Sequence, residues 1–260
     1  MTENAVRATT IQDLVARQFG PQAAAYVAST VHAAGEDLED LRRRLEGRAG
    51  DRLLDLGCGG GHVSFAAAPL VAEVVAYDLA PEMLAAVAAT AAQRGLANIV
   101  PRQGTAEALP FGAAEFDRVA SRYSAHHWRD LPRGLAEARR VVKSDGRAIF
   151  MDVVAPENPL LDTYLQSFEV LRDPSHVRDY AISQWTGFAH AAGFRVENVV
   201  ARRLRLEFAP WIARMATPAT QVAAIRALQA CAPEEVRAHF AFEADGTFTL
   251  DTMTVELAPV

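Results

Sequence analysis

The amino-acid sequence predicts an α/β fold, a doubly wound and largely parallel sheet with helices on both faces. From Asp51 onward, short apolar runs alternate with Ala-rich stretches of helical composition, the order expected when each strand is followed by a crossover helix. The first run, Leu53-Leu54-Asp55-Leu56, passes directly into Gly57-Cys58-Gly59-Gly60-Gly61, a turn of the kind that joins a strand to a helix. Size is the third observation: 260 residues, 50% hydrophobic and 22% charged, support one large domain with insertions better than two domains.

Ahead of the alternating region, residues from about Ile11 to Glu46 read as helix, with Leu38, Leu41 and Leu45 spaced three to four apart. Gly20-Pro21 and Gly35 divide this region into two or three helices. Strands follow at Arg52 to Leu56, Glu73 to Asp78, Asn98 to Gln103 and Phe116 to Ser121. One helix, His62 to Val71, starts inside the glycine turn; another is opened by Pro81 and closed by Gly95. Leu131 to Lys143 continues as helix, Ser144-Asp145-Gly146 as a turn and Arg147 to Val154 as the fifth strand. Beyond it a helix from about Leu160 to Arg172 ends at Asp173-Pro174-Ser175, and another from Ser183 to Ala192 stops at Gly193. Phe194 to Phe208 alternates as a sixth strand, Thr217 to Phe242 reads helical, and Thr247 to Leu257 is a last strand after Asp245-Gly246.

A formal charge of -6 argues against a nucleic-acid surface, which needs a basic patch to neutralise phosphates. Cys58 and Cys231 are too few for a disulfide framework or a zinc site. Met1 to Asp13 lacks a basic stretch followed by an apolar one, and no uninterrupted apolar run is long enough to span a membrane. The expected setting is cytoplasmic, as a monomer or homodimer.

The glycine turn carries the strongest chemical signal. Glycines let the backbone turn tightly and approach a ligand, while the following helix offers unpaired N–H groups. A dinucleotide site would use G-x-G-x-x-G; here the pattern is Asp55-x-Gly57-x-Gly59-x-Gly61, with His62 where the last glycine of that fingerprint would stand. Asp78 closes Val74-Val75-Ala76-Tyr77 and suits the ribose hydroxyls of either cofactor class. Further on, Gly104-Thr105-Ala106-Glu107-Ala108-Leu109-Pro110-Phe111 precedes the fourth strand.

Together these stretches, from roughly Asp51 to Val154, resemble the class I S-adenosylmethionine (SAM) dependent methyltransferases. In order and phrasing they are similar to the type 11 group that includes the ubiquinone/menaquinone biosynthesis C-methyltransferases. The resemblance implies a Rossmann-like seven-stranded sheet ending in an antiparallel pair. It implies a helical lid over residues 1–48, a SAM-binding domain over 49–260, and cap insertions at about 156–183 and 209–243. It places Asp55, Gly57, Gly59, Gly61, Asp78, Leu79, Met83, Thr105, Ala106, Glu107 and Ser121 on the cofactor, with Tyr26 of the lid reaching its carboxylate. Thr105 stands where that family carries an Asp that accepts from the adenine amino group; a hydroxyl accepts that bond without charge and so more weakly.

The segment Ser121-Arg122-Tyr123-Ser124 lacks the N/D-P-P-Y/F tetrapeptide of amino methyltransferases, so bases and protein amides are disfavoured as acceptors. No clustered carboxylates suggest a magnesium-dependent catechol-type site, and no metal is expected. His126 and His127 follow the fourth strand at the binding edge of the sheet, where an imidazole can serve as base; His32 of the lid is a third candidate. Tyr123, Trp128, His176, Arg178 and Tyr180 are candidates for the acceptor pocket, Arg178 toward an acidic substrate. The expected function is methyl transfer from SAM to a small, partly apolar molecule. The alternatives are a SAM-binding protein that does not methylate and an NAD-dependent oxidoreductase.

Overall fold

A computed structural model of the chain describes residues 10–19 and 35–260. Among them, α1 (Ile11–Phe19) and α2 (Glu36–Leu45) precede the sheet. The alternating region comprises β1 (Arg52–Leu56), α3 (His62–Ala67), β2 (Glu73–Asp78), α4 (Pro81–Gln93), β3 (Ile99–Gln103) and β4 (Phe116–Arg122). A short 3-10 turn (Ala125–His127), α5 (Leu131–Val141) and β5 (Val142–Val153) follow. The later chain forms α6 (Pro159–Arg172), α7 (Ile182–Ala191), β6 (Phe194–Leu206), α8 (Phe208–Arg214), α9 (Ala219–Cys231), α10 (Glu234–Phe240) and β7 (Phe248–Pro259).

The seven strands lie in the order β3-β2-β1-β4-β5-β7-β6. The first five in sequence run parallel, whereas β7 pairs antiparallel with both β5 and β6. The period of two along each strand divides the core. Leu54, Leu56, Val75, Val119 and Phe150 meet Leu131 and Leu135 of α5 and Trp185 of α7. Their neighbours Leu53, Val74, Ala120, Ile149 and Met151 meet Leu38, Leu41 and Leu45 of α2 and Val63 and Ala67 of α3. Each such fully buried leucine contributes about 1.5–3 kcal/mol by leaving water. A third cluster joins Leu165 and Phe168 of α6, Trp211 of α8, Ile225 of α9 and Phe240 of α10 to the adjoining ends of β6 and β7.

The structure corrects the sequence reading in three places. The expected turn at Ser144-Asp145-Gly146 lies inside β5, which starts where α5 stops, and the pairing with β4 jumps from Phe116↔Val142 to Arg118↔Arg147. Gly146 is required in that irregularity, because a Cβ there would sit 2.7 Å from the Asp117 carbonyl oxygen. The expected helix from Thr217 to Phe242 is two helices, since Pro233 holds Ala232 extended (φ -61, ψ 139) and cannot donate to the preceding turn. The helix begun at His62 ends at Ala67, short of Val71.

Candidate active site

Strand order reverses between β1 and β4, and the loops leaving their C-terminal ends flank the crevice where open α/β sheets bind ligands. The two loops touch. Gly57, at φ +73, has no room for a side chain: a Cβ would lie 1.9 Å from Ser124 Oγ. Backbone N–H groups of Gly57 and Cys58 donate to the Tyr77 carbonyl at 2.8 and 3.0 Å, which docks the turn on β2. From the end of β2 the Asp78 carboxylate accepts the Gly59 N–H at 2.8 Å and the Ala80 N–H at 2.9 Å. Burial raises its carboxyl above the usual range, opposed by these N–H groups and that of Leu79.

Beneath the turn Asp55 is 1% exposed, and its Oδ2 accepts from Ser64 N at 2.9 Å and Ser64 Oγ at 2.6 Å. Burial pushes this carboxyl up to about 7. Around the turn lies a cavity of about 130 Å³ bordered by Asp55, Gly57, Gly59, Asp78, Leu79 and Met83, and by Thr105, Ala106, Glu107 and Trp128. Gln12, Val15 and Phe19 of α1 cover it. The Trp128 indole donates to Ser124 Oγ at 3.2 Å.

A second cavity, of about 480 Å³, shares Phe19, Arg122, Tyr123 and His127 with the first. Its remaining wall includes His126, Glu169 and Arg172 of α6, Asp179, Trp211 and Arg214 of α8, and Leu204 and Leu206 of β6. Tyr123 holds a left-handed φ of +50, an unusual conformation for a bulky residue, at the point where both cavities meet.

The three neighbouring imidazoles differ electrically. His126 Nδ1 lies 2.6 Å from Asp152 Oδ1; burial opposes its charge, but Asp152 outweighs it and pushes the pKa up to about 9. His127 is pushed down to about 4, by burial first and the adjoining His126 second, and its Nδ1 lies 3.1 Å from the Ser175 carbonyl. With that carbonyl able only to accept, Nδ1 carries the hydrogen and Nε2 the lone pair. His176 is also driven down by burial, and its Nε2 lies 2.9 Å from Gln166 Oε1. Asp179, 1% exposed, has its carboxyl raised well above the usual range by burial.

Several expected site residues stand elsewhere. Ser121 borders neither cavity: it is 2% exposed inside the sheet, one strand position from Arg122 and so on the opposite face. Gly61 caps α3 at φ +79, and its missing side chain admits Val87, 2.8 Å from where a Cβ would be. His176, Arg178 and Tyr180 line neither cavity; Arg178 pairs with Asp162 at 2.6 Å. Tyr26 and His32 lie outside the described residues. Sequence reasoning passed over Arg122, Asp152, Asp179, Arg172 and Arg214. Asp152 had a signal, a lone carboxylate in the apolar run Ala148 to Val154.

Residues 54–150 match the family described as a methyltransferase domain. The uncharacterized protein YafE of Escherichia coli is 49% identical over 196 residues, 75% of this chain and 95% of that protein. The uncharacterized methyltransferase YcgJ of Bacillus subtilis is 38% identical over 77% of this chain and 79% of its own length. The YcgJ crystal structure superposes with a TM-score of 0.82 over 85% of this chain and 97% of that one, at 34% identity. Sheet order, glycine turn and these likenesses agree, and the chain belongs to the methyltransferase domain family as a class I SAM-dependent methyltransferase.

Proposed function

We propose that the first cavity binds SAM and that a small, partly apolar acceptor occupies the second. The contiguity of the two cavities at Phe19, Arg122, Tyr123 and His127 carries this reading. The residues of the first cavity fit the cofactor. Asp78 spends two acceptor positions on Gly59 and Ala80 and keeps others for a pair of ribose hydroxyls. Thr105 is the polar group available to the adenine edge, and the turn from Gly57 to Gly59 leaves room for close backbone approach. When bound, SAM supplies a methyl group already activated by its sulfonium charge.

The chain's own work is positioning and proton handling. Phe19 and the α1 cover keep water from the junction. His127 borders both cavities, with Nδ1 against the Ser175 carbonyl and Nε2 3.9 Å from Asp173 Oδ2, so a proton leaving the acceptor passes to Nε2, where that carboxylate stabilises the charge. Trp211, Leu204 and Leu206 supply apolar contact, and Arg122 and Arg172 supply hydrogen-bond donors. Free Cys58, buried in the donor turn, supports a reducing, cytoplasmic setting.

The test pairs calorimetric titration of S-adenosylhomocysteine with a mass-shift screen of candidate acceptors, scoring a gain of one methyl. Binding and methylated product support the reading. Absence of nucleoside binding in folded protein, or a product whose formation survives blocking the second cavity by Leu204→Trp, overturns it.

A further inference from the structure

We propose that one wall of the second cavity is a site for a divalent transition-metal cation, held by His126, Asp152 and Asp179. One ligand atom from each residue lies within 4.8 Å of the other two, a spread that one cation with bonds of about 2.0–2.2 Å draws together by small side-chain rotations. The residues come from the turn after β4, the end of β5 and the stretch entering α7, so the fold assembles what no short motif announces.

The second observation is an orphaned oxygen. Asp179 is 1% exposed, and its Oδ2 has no hydrogen-bond partner among the described residues. The imidazole nearest to it, His176, keeps Nε2 at 3.8 Å and spends it on Gln166. A carboxylate oxygen taken from water with nothing to bind is costly, and a cation removes that cost. Asp152, by contrast, is firmly set: Ala125 N donates to its Oδ2 at 2.9 Å and Val153 N to its Oδ1 at 2.9 Å. Those bonds fix the carboxylate plane, as the outer partners of metal ligands do. The contact of His126 Nδ1 with Asp152 Oδ1 at 2.6 Å gives way to the cation, the imidazole releasing its proton to solvent.

The donor set selects the ion. An imidazole with two carboxylates favours manganese, iron or zinc over magnesium and calcium, which take oxygen alone. Three protein ligands leave coordination positions open, the arrangement of a catalytic site and not of a structural one. His126 and Asp179 both border the second cavity, so the open positions face the place assigned to the acceptor. That last step rests on the proposed function and names the acceptor class: a molecule with a hydroxyl or carbonyl oxygen that coordinates the cation. The cation site itself rests on the geometry alone.

The test uses chelator-stripped full-length protein titrated with Zn²⁺ alone and, separately, Mn²⁺ alone, by calorimetry with metal content measured after desalting. One cation per chain is expected, with affinity lowered about tenfold or more in Asp179→Asn and in His126→Gln. His239→Gln should bind like wild type; its imidazole lies 3.0 Å from Asp251 and is the obvious source of adventitious binding. Circular dichroism and S-adenosylhomocysteine titration qualify each variant as folded, and two independent ligand variants keep the test decisive. Lack of stoichiometric binding to wild type, or equal binding by wild type and both ligand variants, overturns the site. A bound cation without any methylated product would sink the functional reading and leave the site standing.

Discussion

Arg122, the last residue of β4, grips Asp37 of α2 through two hydrogen bonds, Nε to Oδ2 at 2.5 Å and Nη2 to Oδ1 at 3.1 Å. Both side chains are nearly withdrawn from water, at 5% and 11% exposure, so the pair ties a helix outside the sheet to the wall between the cavities. Removing one partner of such a pair costs about 3–5 kcal/mol, because the other charge stays buried without it. Asp37→Ala is expected to lower the unfolding free energy, read from denaturant titration, by that order, and Asp37→Ala with Arg122→Met to recover part of the loss. Additive losses in the double variant would show that the two side chains act separately.

Asp78 serves the turn and, in the proposed function, the ribose. Asp78→Ala should weaken S-adenosylhomocysteine binding by about 1.5–3 kcal/mol for each charge-assisted bond lost. Asp78→Asn, which keeps one acceptor oxygen, should fall between it and wild type. Calorimetry on folded samples decides the order; unchanged affinity in the alanine variant would remove Asp78 from the site.

Gly57 combines a positive φ with a steric limit, and the two separate experimentally. Gly57→Ala should suffer both the left-handed penalty of about 1–2 kcal/mol and the collision with Ser124 Oγ. Adding Ser124→Gly should restore only the collision share of stability and of nucleoside affinity. Full recovery in the double variant would mean that the backbone conformation costs nothing there.

Asp55 makes stability depend on pH. Its folded pKa, about 7, lies above the unfolded value of about 3.9. Stability is therefore fully present below the unfolded value and is lost as pH rises through the folded one. Asp55→Asn can still accept from Ser64 N and Oγ without carrying charge. Its melting temperature should gain on wild type from about pH 4 to about pH 8 and then level off. A gap that does not vary with pH would contradict the burial argument.

His127 is the expected proton acceptor. His127→Asn should lower kcat by about 10²–10⁴ with little change in nucleoside affinity, since a general base acts in the transition state. Near wild-type turnover would mean that the acceptor reacts without losing a proton to this residue.

The donor half of the molecule is legible in the sequence because it is local. Leu53 and Leu54 announce the opposite faces of β1, and Asp55, Gly57 and Gly59 follow within a few positions, so one strand-turn-helix unit carries both fold and chemistry. The acceptor half is made at a distance. Arg122, Asp179 and Trp211 belong to separate elements, and only the assembled sheet and its covering helices bring their side chains to one cavity, with Asp152 beside Asp179 behind its wall. Local reading also could not separate Ser121 from Arg122, although neighbours on a strand face opposite ways. It joined α9 to α10 because helical composition outweighed Pro233. Ser144-Asp145-Gly146 has the composition of a turn, yet pairing with β4 draws it into β5.

The edge strand β6 has a consequence for life in a crowded solution. At 13 residues it is longer than an isolated edge can safely be, since unpaired N–H and C=O groups invite recruitment by strands of other chains. Its pairing steps between Val196 and Asn198, and Arg203 and Arg205 stand along it in ion pairs with Asp251 and Glu243. An intruding strand would meet a broken register and would have to strip hydrated guanidinium groups to gain its hydrogen bonds. The outermost antiparallel pair thus protects the sheet from aggregation as well as completing it.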